Sequence, residues 1–71
     1  MAGIVALRMI KAFERLGWFV DRASGSHHVL TRPAHAPITV PVKKGRTLKE
    51  GTARAILRQA GVSEDDFFDV Y

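Results

Sequence analysis

Three short runs rich in β-branched and aromatic residues constrain the fold more than any other feature of the chain. The runs cover residues 18–22, 26–32 and 38–42. The first connection contains Gly25, and its composition favours a tight turn. The second connection is a proline-bounded loop over residues 33–37. Pro41 indicates an edge strand or a strand end, because proline cannot donate a hydrogen bond to a sheet. The pattern predicts a three-stranded antiparallel sheet.

Apolar residues at helical spacing flank these three runs on both sides. Before the runs, the spacing predicts a helix from about residue 5 to residue 16, which Gly17 can end in the left-handed conformation. After the runs, Thr47 and Glu50 have the spacing of a capping box and predict the start of a second helix. Gly61 is placed to end that helix.

The predicted element order is therefore α-β-β-β-α, followed by a short tail helix that begins near Ser63. Two helices on one face of a three-stranded antiparallel sheet bury the apolar side of each layer. The other face of the sheet is expected to stay open. Double-stranded-RNA-binding domains have the same order, which is an analogy of fold alone. We therefore predict one α+β domain over residues 1–71 with a double-stranded-RNA-binding-domain-like fold.

The charge balance is basic, and the chain has no cysteine. A formal net charge of +4 favours a phosphate-bearing or acidic partner. A core of this size is marginal and no disulfide can support it, so a partner is expected. The apolar-leaning residues 1–10 are too few to span a bilayer. These features predict a cytoplasmic protein with no membrane association.

Two adjacent histidines, His27 and His28, follow the glycine turn. Imidazole exchanges protons readily near neutral pH, so this is where acid–base chemistry is most plausible. Side chains alternate along a strand, and Leu30 is the best core candidate of this strand. His28 is then expected on the helix-covered side and His27 on the open side. Because the two rings point apart and no Cys or carboxylate lies nearby, no metal site is predicted. No cofactor is predicted either. Gly25 is predicted to be structural, through the geometry of its turn.

The order and spacing of four short motifs resemble the HicA family of toxins. The motifs are Gly17-Trp18, Arg22-x-x-Gly25-Ser26-His27-His28, Thr39-Val40-Pro41-Val42 and Gly51-Thr52-x-Arg54-x-Ile56-Leu57-Arg58-Gln59-Ala60-Gly61. They cover most of the chain between residues 17 and 61, and residues 62–67 resemble the C-terminal extension of the family. Each motif alone is modest, but the ordered set is specific.

The resemblance implies a toxin that cleaves mRNA and is held inactive by a HicB-type antitoxin. It also implies a catalytic histidine in the Gly-Ser-His segment. His27 occupies that position and is the first choice, while His28, which matches members with a later histidine, is the second. Many relatives carry a further histidine where this chain has Lys43. The second group that transfers a proton is therefore left open.

Cleavage of this kind needs no metal, because the ribose 2′-hydroxyl of RNA supplies the nucleophile. A histidine can transfer the proton, and cationic side chains can stabilise the charge at phosphorus. The residues predicted to contact RNA are Arg22, Ser26, Lys43, Lys44 and Arg46. Two alternatives remain: a non-catalytic RNA-binding module of the same fold, and a protein-interaction module whose basic face docks an acidic partner.

Overall fold

The computed structural model describes residues 1–43 and 47–71. Its elements are α1 (Ala6–Arg15), β1 (Phe19–Ser24), β2 (His27–Arg32), β3 (His35–Pro41), α2 (Glu50–Ala60) and α3 (Glu64–Val70). β2 is the middle strand of the sheet and pairs antiparallel with both neighbours. The predicted α+β class, the α-β-β-β-α order and the short C-terminal helix are confirmed.

The core lies between the helices and one face of the sheet. α1 contacts β1 and β3, α2 contacts β3, and α3 packs on α1. The largest fully buried side chains are Trp18, Phe13, Phe67, Met9, Leu30, Ile38 and Val40. The last three lie on the same side of β2 and β3, because Leu30 pairs with Ile38 and side chains alternate along each strand. Removing this apolar surface from water is the main stabilising term of the fold.

The opposite side of the sheet, which we call the open face, carries the remaining side chains of the strands. Strand pairing places Phe19, Arg22, Ser24, His27, Val29, Thr31, Thr39 and Pro41 there. All of these residues are exposed or half-buried. Within residues 1–43 and 47–71, the helices pack only against the other side of the sheet.

A β-bulge at Asp21 decides which face Arg22 occupies. Val20 pairs with Leu30 and Arg22 pairs with Val29, so Asp21 is an extra residue with no partner on β2. Uninterrupted alternation would have placed Arg22 on the side of the buried Trp18. The bulge instead brings Arg22 to the open face, and β1 continues to Ser24, two residues beyond the predicted end.

The predicted loop over residues 33–37 is wrong. The two residues Pro33 and Ala34 already reverse the chain, Ala34 adopts a left-handed φ of 61°, and His35 pairs with Arg32. β3 therefore begins three residues earlier than predicted. Pro37 is tolerated in β3 because this strand lies at the edge of the sheet, beside a register irregularity.

The predicted capping box at Thr47 is also wrong. Thr47 pairs with Val5 in an isolated bridge, and the Leu48 amide donates to the Ile4 carbonyl at 2.7 Å. These contacts hold residues 47–48 extended against the segment before α1. The helix consequently begins only after Lys49, whose side chain makes no capping hydrogen bond.

The first residue of α2 is an ion-paired glutamate. Glu50 accepts a hydrogen bond from the Met1 ammonium at 3.2 Å and lies 3.9 Å from Arg54. The hydrogen bond and the two positive charges lower the pKa of the Glu50 carboxyl. The side chain is exposed, so the effect on stability is small.

The other helix ends agree with the sequence. Gly61 is in the left-handed conformation at the end of α2, with a φ of 70°. Ser63 caps α3, because its hydroxyl accepts a hydrogen bond from the Asp66 amide at 3.1 Å. Both are the local signals that were predicted to stop one helix and to start the next.

Candidate functional site

His27 lies on the open face at the start of the middle strand. It pairs with Ser24 of β1 on one side and with Pro41 of β3 on the other, and its side chain is exposed. Gly25 reverses the chain just before it with a φ of 58°. The turn is tied to the end of β3, because the Ser26 carbonyl accepts a hydrogen bond from the Val42 amide. Backbone contacts on both sides therefore fix the position in the sheet from which the imidazole projects.

His28 occupies the opposite face, between Ala23 and Val40. Its ring is half-buried, and Nδ1 is enclosed without a hydrogen-bond partner among the residues that the structure describes. The sequence-based assignment of the two histidines to opposite faces is confirmed. The helix-covered position makes His28 the less accessible of the two to a polymeric substrate.

The third histidine lies at the other end of the β2–β3 hairpin. The His35 ring lies edge-on to the buried Trp18, with 4.8 Å between ring centroids, and its Nδ1 is 2.8 Å from the Ala36 carbonyl oxygen. This contact places His35 on the helix-covered side of the sheet. His27 is therefore the one imidazole on the open face within the described part of the chain.

Two of the predicted RNA-contacting cations lie near His27. Arg22 is exposed and faces Val29, which is two residues from His27 on the same side of β2, or about 7 Å along the strand. Lys43 is exposed and follows Val42, whose amide bonds to the Ser26 carbonyl next to His27. Lys44 and Arg46, the other two predicted cations, lie outside the described residues.

Ser26 is half-buried, and its carbonyl oxygen is already engaged by Val42. Its hydroxyl therefore remains the group that would serve the predicted RNA contact. The position of Ser26 between Gly25 and His27 places that hydroxyl at the turn next to the candidate catalytic ring. Gly25 has no atom of another residue near its missing Cβ, so its positive φ, and not crowding, favours glycine there.

One exposed aromatic side chain of the open face is not among the residues predicted for the site. Phe19 is 59% exposed and pairs with Thr31, which shares a side of β2 with His27. Trp18, its neighbour, is 1% exposed and packs edge-on against Phe13. Sequence alternation indicates that only one of the two aromatic residues can be free, but only the fold establishes which one.

Other parts of the surface differ in character from the open face. A shallow depression of about 280 Å³ lies beside α2 and is lined by Arg54, Leu57, Arg58, Val62 and Glu64. Across residues 1–43 and 47–71, no three His, Asp or Glu side chains converge as metal ligands. In the same residues, no helix has the length and apolar character needed to cross a membrane.

The fold and its open face define a small basic domain of the double-stranded-RNA-binding-domain-like class, with an exposed histidine on the uncovered side of its sheet. A family model described as "HicA toxin of bacterial toxin-antitoxin" matches residues 8–62, which is most of the chain and includes every candidate site residue. The chain therefore belongs to the HicA toxin family. Membership implies an antitoxin partner. No curated protein sequence matches the chain.

Proposed function

We propose that this toxin is a metal-independent endoribonuclease that cleaves mRNA, with His27 as its catalytic residue. One observation carries the proposal beyond family membership: His27 is exposed on the open face, flanked by two paired strands, with Arg22 on the same face. An accessible imidazole on a fixed backbone, with a cation on the same face, suits general acid–base chemistry at a phosphodiester.

The proposed reaction is an internal transfer within RNA. The ribose 2′-oxygen attacks the adjacent phosphorus, and the bond between phosphorus and the 5′-oxygen breaks. The products are a 2′,3′-cyclic phosphate and a 5′-hydroxyl. One proton leaves the 2′-hydroxyl and one reaches the departing 5′-oxygen. His27 performs one of these two transfers, and Lys43, which stands where many relatives have a histidine, is a candidate for the other.

Cations around His27 stabilise the charge that develops on the phosphoryl oxygens. We propose this role for Arg22 on the open face and for Lys43 after the end of β3. Lys44 and Arg46 are proposed to contribute on the basis of sequence, and Ser26 through its hydroxyl. A positioned donor of this kind is worth on the order of 10²–10³ in rate.

The antitoxin is proposed to be a HicB-type protein that covers His27 with an acidic surface. Charge complementarity with Arg22 and Lys43 would make association sensitive to salt and would exclude RNA. We further propose that residues 1–71 act as one domain and that the toxin works in the cytoplasm, where mRNA is available. An antitoxin that bound tightly but left cleavage unchanged would contradict masking.

The deciding experiment is cleavage of labelled RNA by purified protein in the presence of EDTA. We expect His27→Ala to lower the cleavage rate by roughly 10²–10⁴-fold, the usual contribution of a positioned acid or base. His28→Ala is the matched control and should retain most of the rate, provided that circular dichroism confirms folding. Cleavage by His27→Ala at the parental rate would remove His27 from the mechanism, and selective loss in His28→Ala would transfer the role to His28.

A non-catalytic RNA-binding module is the second candidate. Cleavage needs two proton transfers, and His27 is the one imidazole on the open face among the described residues. That observation favours a role without catalysis. Binding of RNA by the wild-type protein without any EDTA-resistant cleavage would support this candidate. Induced expression of wild-type and His27→Ala proteins, scored for growth arrest and RNA integrity, extends the same comparison to the cell.

A further inference from the structure

We propose that Phe19 is a stacking platform for a base of single-stranded RNA, a few nucleotides from the phosphodiester at His27. This inference rests on the proposed function for the nature of the substrate. It adds a binding residue, and it gives the path of the RNA strand along the open face, from His27 past Arg22 to Phe19.

The register of the sheet provides the path. Phe19 pairs with Thr31, Arg22 with Val29 and Ser24 with His27. Thr31, Val29 and His27 are every second residue of β2 and therefore share one face, so all three pairs lie on the open face. The separation of Thr31 from His27 is four residues, or about 13 Å along the strand. An extended RNA strand spans this distance in a few nucleotides.

Phe19 is exposed and does not belong to the hydrophobic core of the described residues. Trp18 supplies the core at this end of β1, and the other close aromatic pairs are formed by residues of the helices and by His35. No ring of the described chain lies against Phe19. The ring is therefore accessible to a ligand on the open face.

The composition of the open face around Phe19 suits single-stranded RNA. Here Phe19 lies beside Thr31, Arg22 lies further along the same face, and the neighbouring exposed Val20 pairs with Leu30 on the other side of the sheet. Isolated aromatic rings combined with cations are typical of proteins that bind single strands, because every base offers a face for stacking.

The test measures the affinity of a single-stranded oligoribonucleotide for protein that carries His27→Ala, so that cleavage does not interfere. Adding Phe19→Leu keeps apolar bulk on the strand but removes the ring. We expect the dissociation constant to rise by about 5- to 150-fold, the usual effect of removing one stacking partner. Phe19→Trp should bind as tightly as the parent or more tightly. Leu7→Ala, at a 58% exposed residue of α1, is the control and should leave affinity unchanged.

A set of oligonucleotides that each lack one base identifies the stacked nucleotide. In the parent, removal of one particular base should weaken binding, and in Phe19→Leu the same removal should have no further effect. Equal affinity of the parent and Phe19→Leu would overturn the inference. The inference would also be overturned if the loss of affinity from Phe19→Leu added to the loss from removing each base in turn. A third contradicting result is that Phe19→Leu weakens antitoxin binding but not RNA binding. None of these outcomes depends on cleavage, so the endoribonuclease proposal is judged separately.

Discussion

Two glycines of this chain should respond in opposite directions to replacement by alanine. Gly25 has a φ of +58°, which is unfavourable for a residue with a Cβ, whereas Gly51 lies in the first turn of α2 with ordinary backbone angles. Neither has another residue near its missing Cβ. We expect Gly25→Ala to lower the free energy of unfolding by about 1–2 kcal/mol and Gly51→Ala to raise it by roughly 0.5–1 kcal/mol.

Urea denaturation of the two variants beside the wild-type protein measures both changes. Unchanged stability of Gly25→Ala would mean that the turn before His27 does not require a left-handed residue. In that case the constraint on the position of the histidine would have to come from the strand pairing and from the Ser26–Val42 hydrogen bond alone.

At the level of single residues, the sequence correctly predicts the face of the sheet on which each side chain lies, wherever the strand is regular. β2 runs without an extra residue from His27 to Arg32, so alternation from Leu30 placed both histidines correctly. Arg22 could not be placed in this way, because the bulge at Asp21 reverses the alternation between Val20 and Arg22. Bulges depend on the fit between two strands, and the sequence of one strand does not specify them.

At the level of elements, Asp21 is predicted to be removable. Val20 and Arg22 pair with adjacent residues of β2, so deleting Asp21 leaves a regular ladder with both side chains on their present faces. We expect the deletion variant to fold with a free energy of unfolding within about 1 kcal/mol of the parent. It should also keep its RNA affinity, since Arg22 stays on the open face.

Thermal unfolding and RNA binding of the deletion variant check this expectation. Deletion of Ala23 is the matched control, because it removes a residue paired with His28 and shifts Ser24 out of register with His27. That variant should be clearly less stable. Equal damage from both deletions would show that the bulge itself, and not the pairing around it, holds β1 in place.

Element types were predictable from periodicity, whereas two element boundaries were not. Apolar spacing and glycine stops sufficed for the helices, and β-branched runs sufficed for the strands. The start of β3 was missed because a two-residue turn containing Ala34 in a left-handed conformation has no strong sequence signal. The start of α2 was missed because the bridge between Thr47 and Val5 joins segments far apart in sequence, and tertiary pairing of this kind overrides a local capping pattern.

At the level of the whole molecule, the carboxylates are concentrated on the helices. The three strands contain a single carboxylate, Asp21, whereas α3 contains Glu64, Asp65, Asp66 and Asp69 and packs on α1 away from the open face. An asymmetric charge distribution of this kind orients a polyanion during encounter. RNA is therefore expected to approach the sheet and not α3.

This asymmetry leads to a prediction about salt. The logarithm of RNA affinity should fall linearly with the logarithm of salt concentration, and Arg22→Ala should reduce the magnitude of the slope by about 1, the value for one lost phosphate contact. Lys11→Ala removes an equal charge from α1, where the side chain is 72% exposed and pairs with Glu14, and should leave the slope unchanged. A slope reduced equally by both variants would place the RNA elsewhere on the surface.

The position of His27 in the middle strand has a consequence for regulation. The backbone of His27 is paired with both neighbouring strands and cannot withdraw without disrupting the sheet, so under the proposed function the folded toxin always presents this residue on the open face. The proposed activity must then be inhibited by a separate molecule. Under the same proposal, dissociation of that inhibitor would expose His27 without a refolding step.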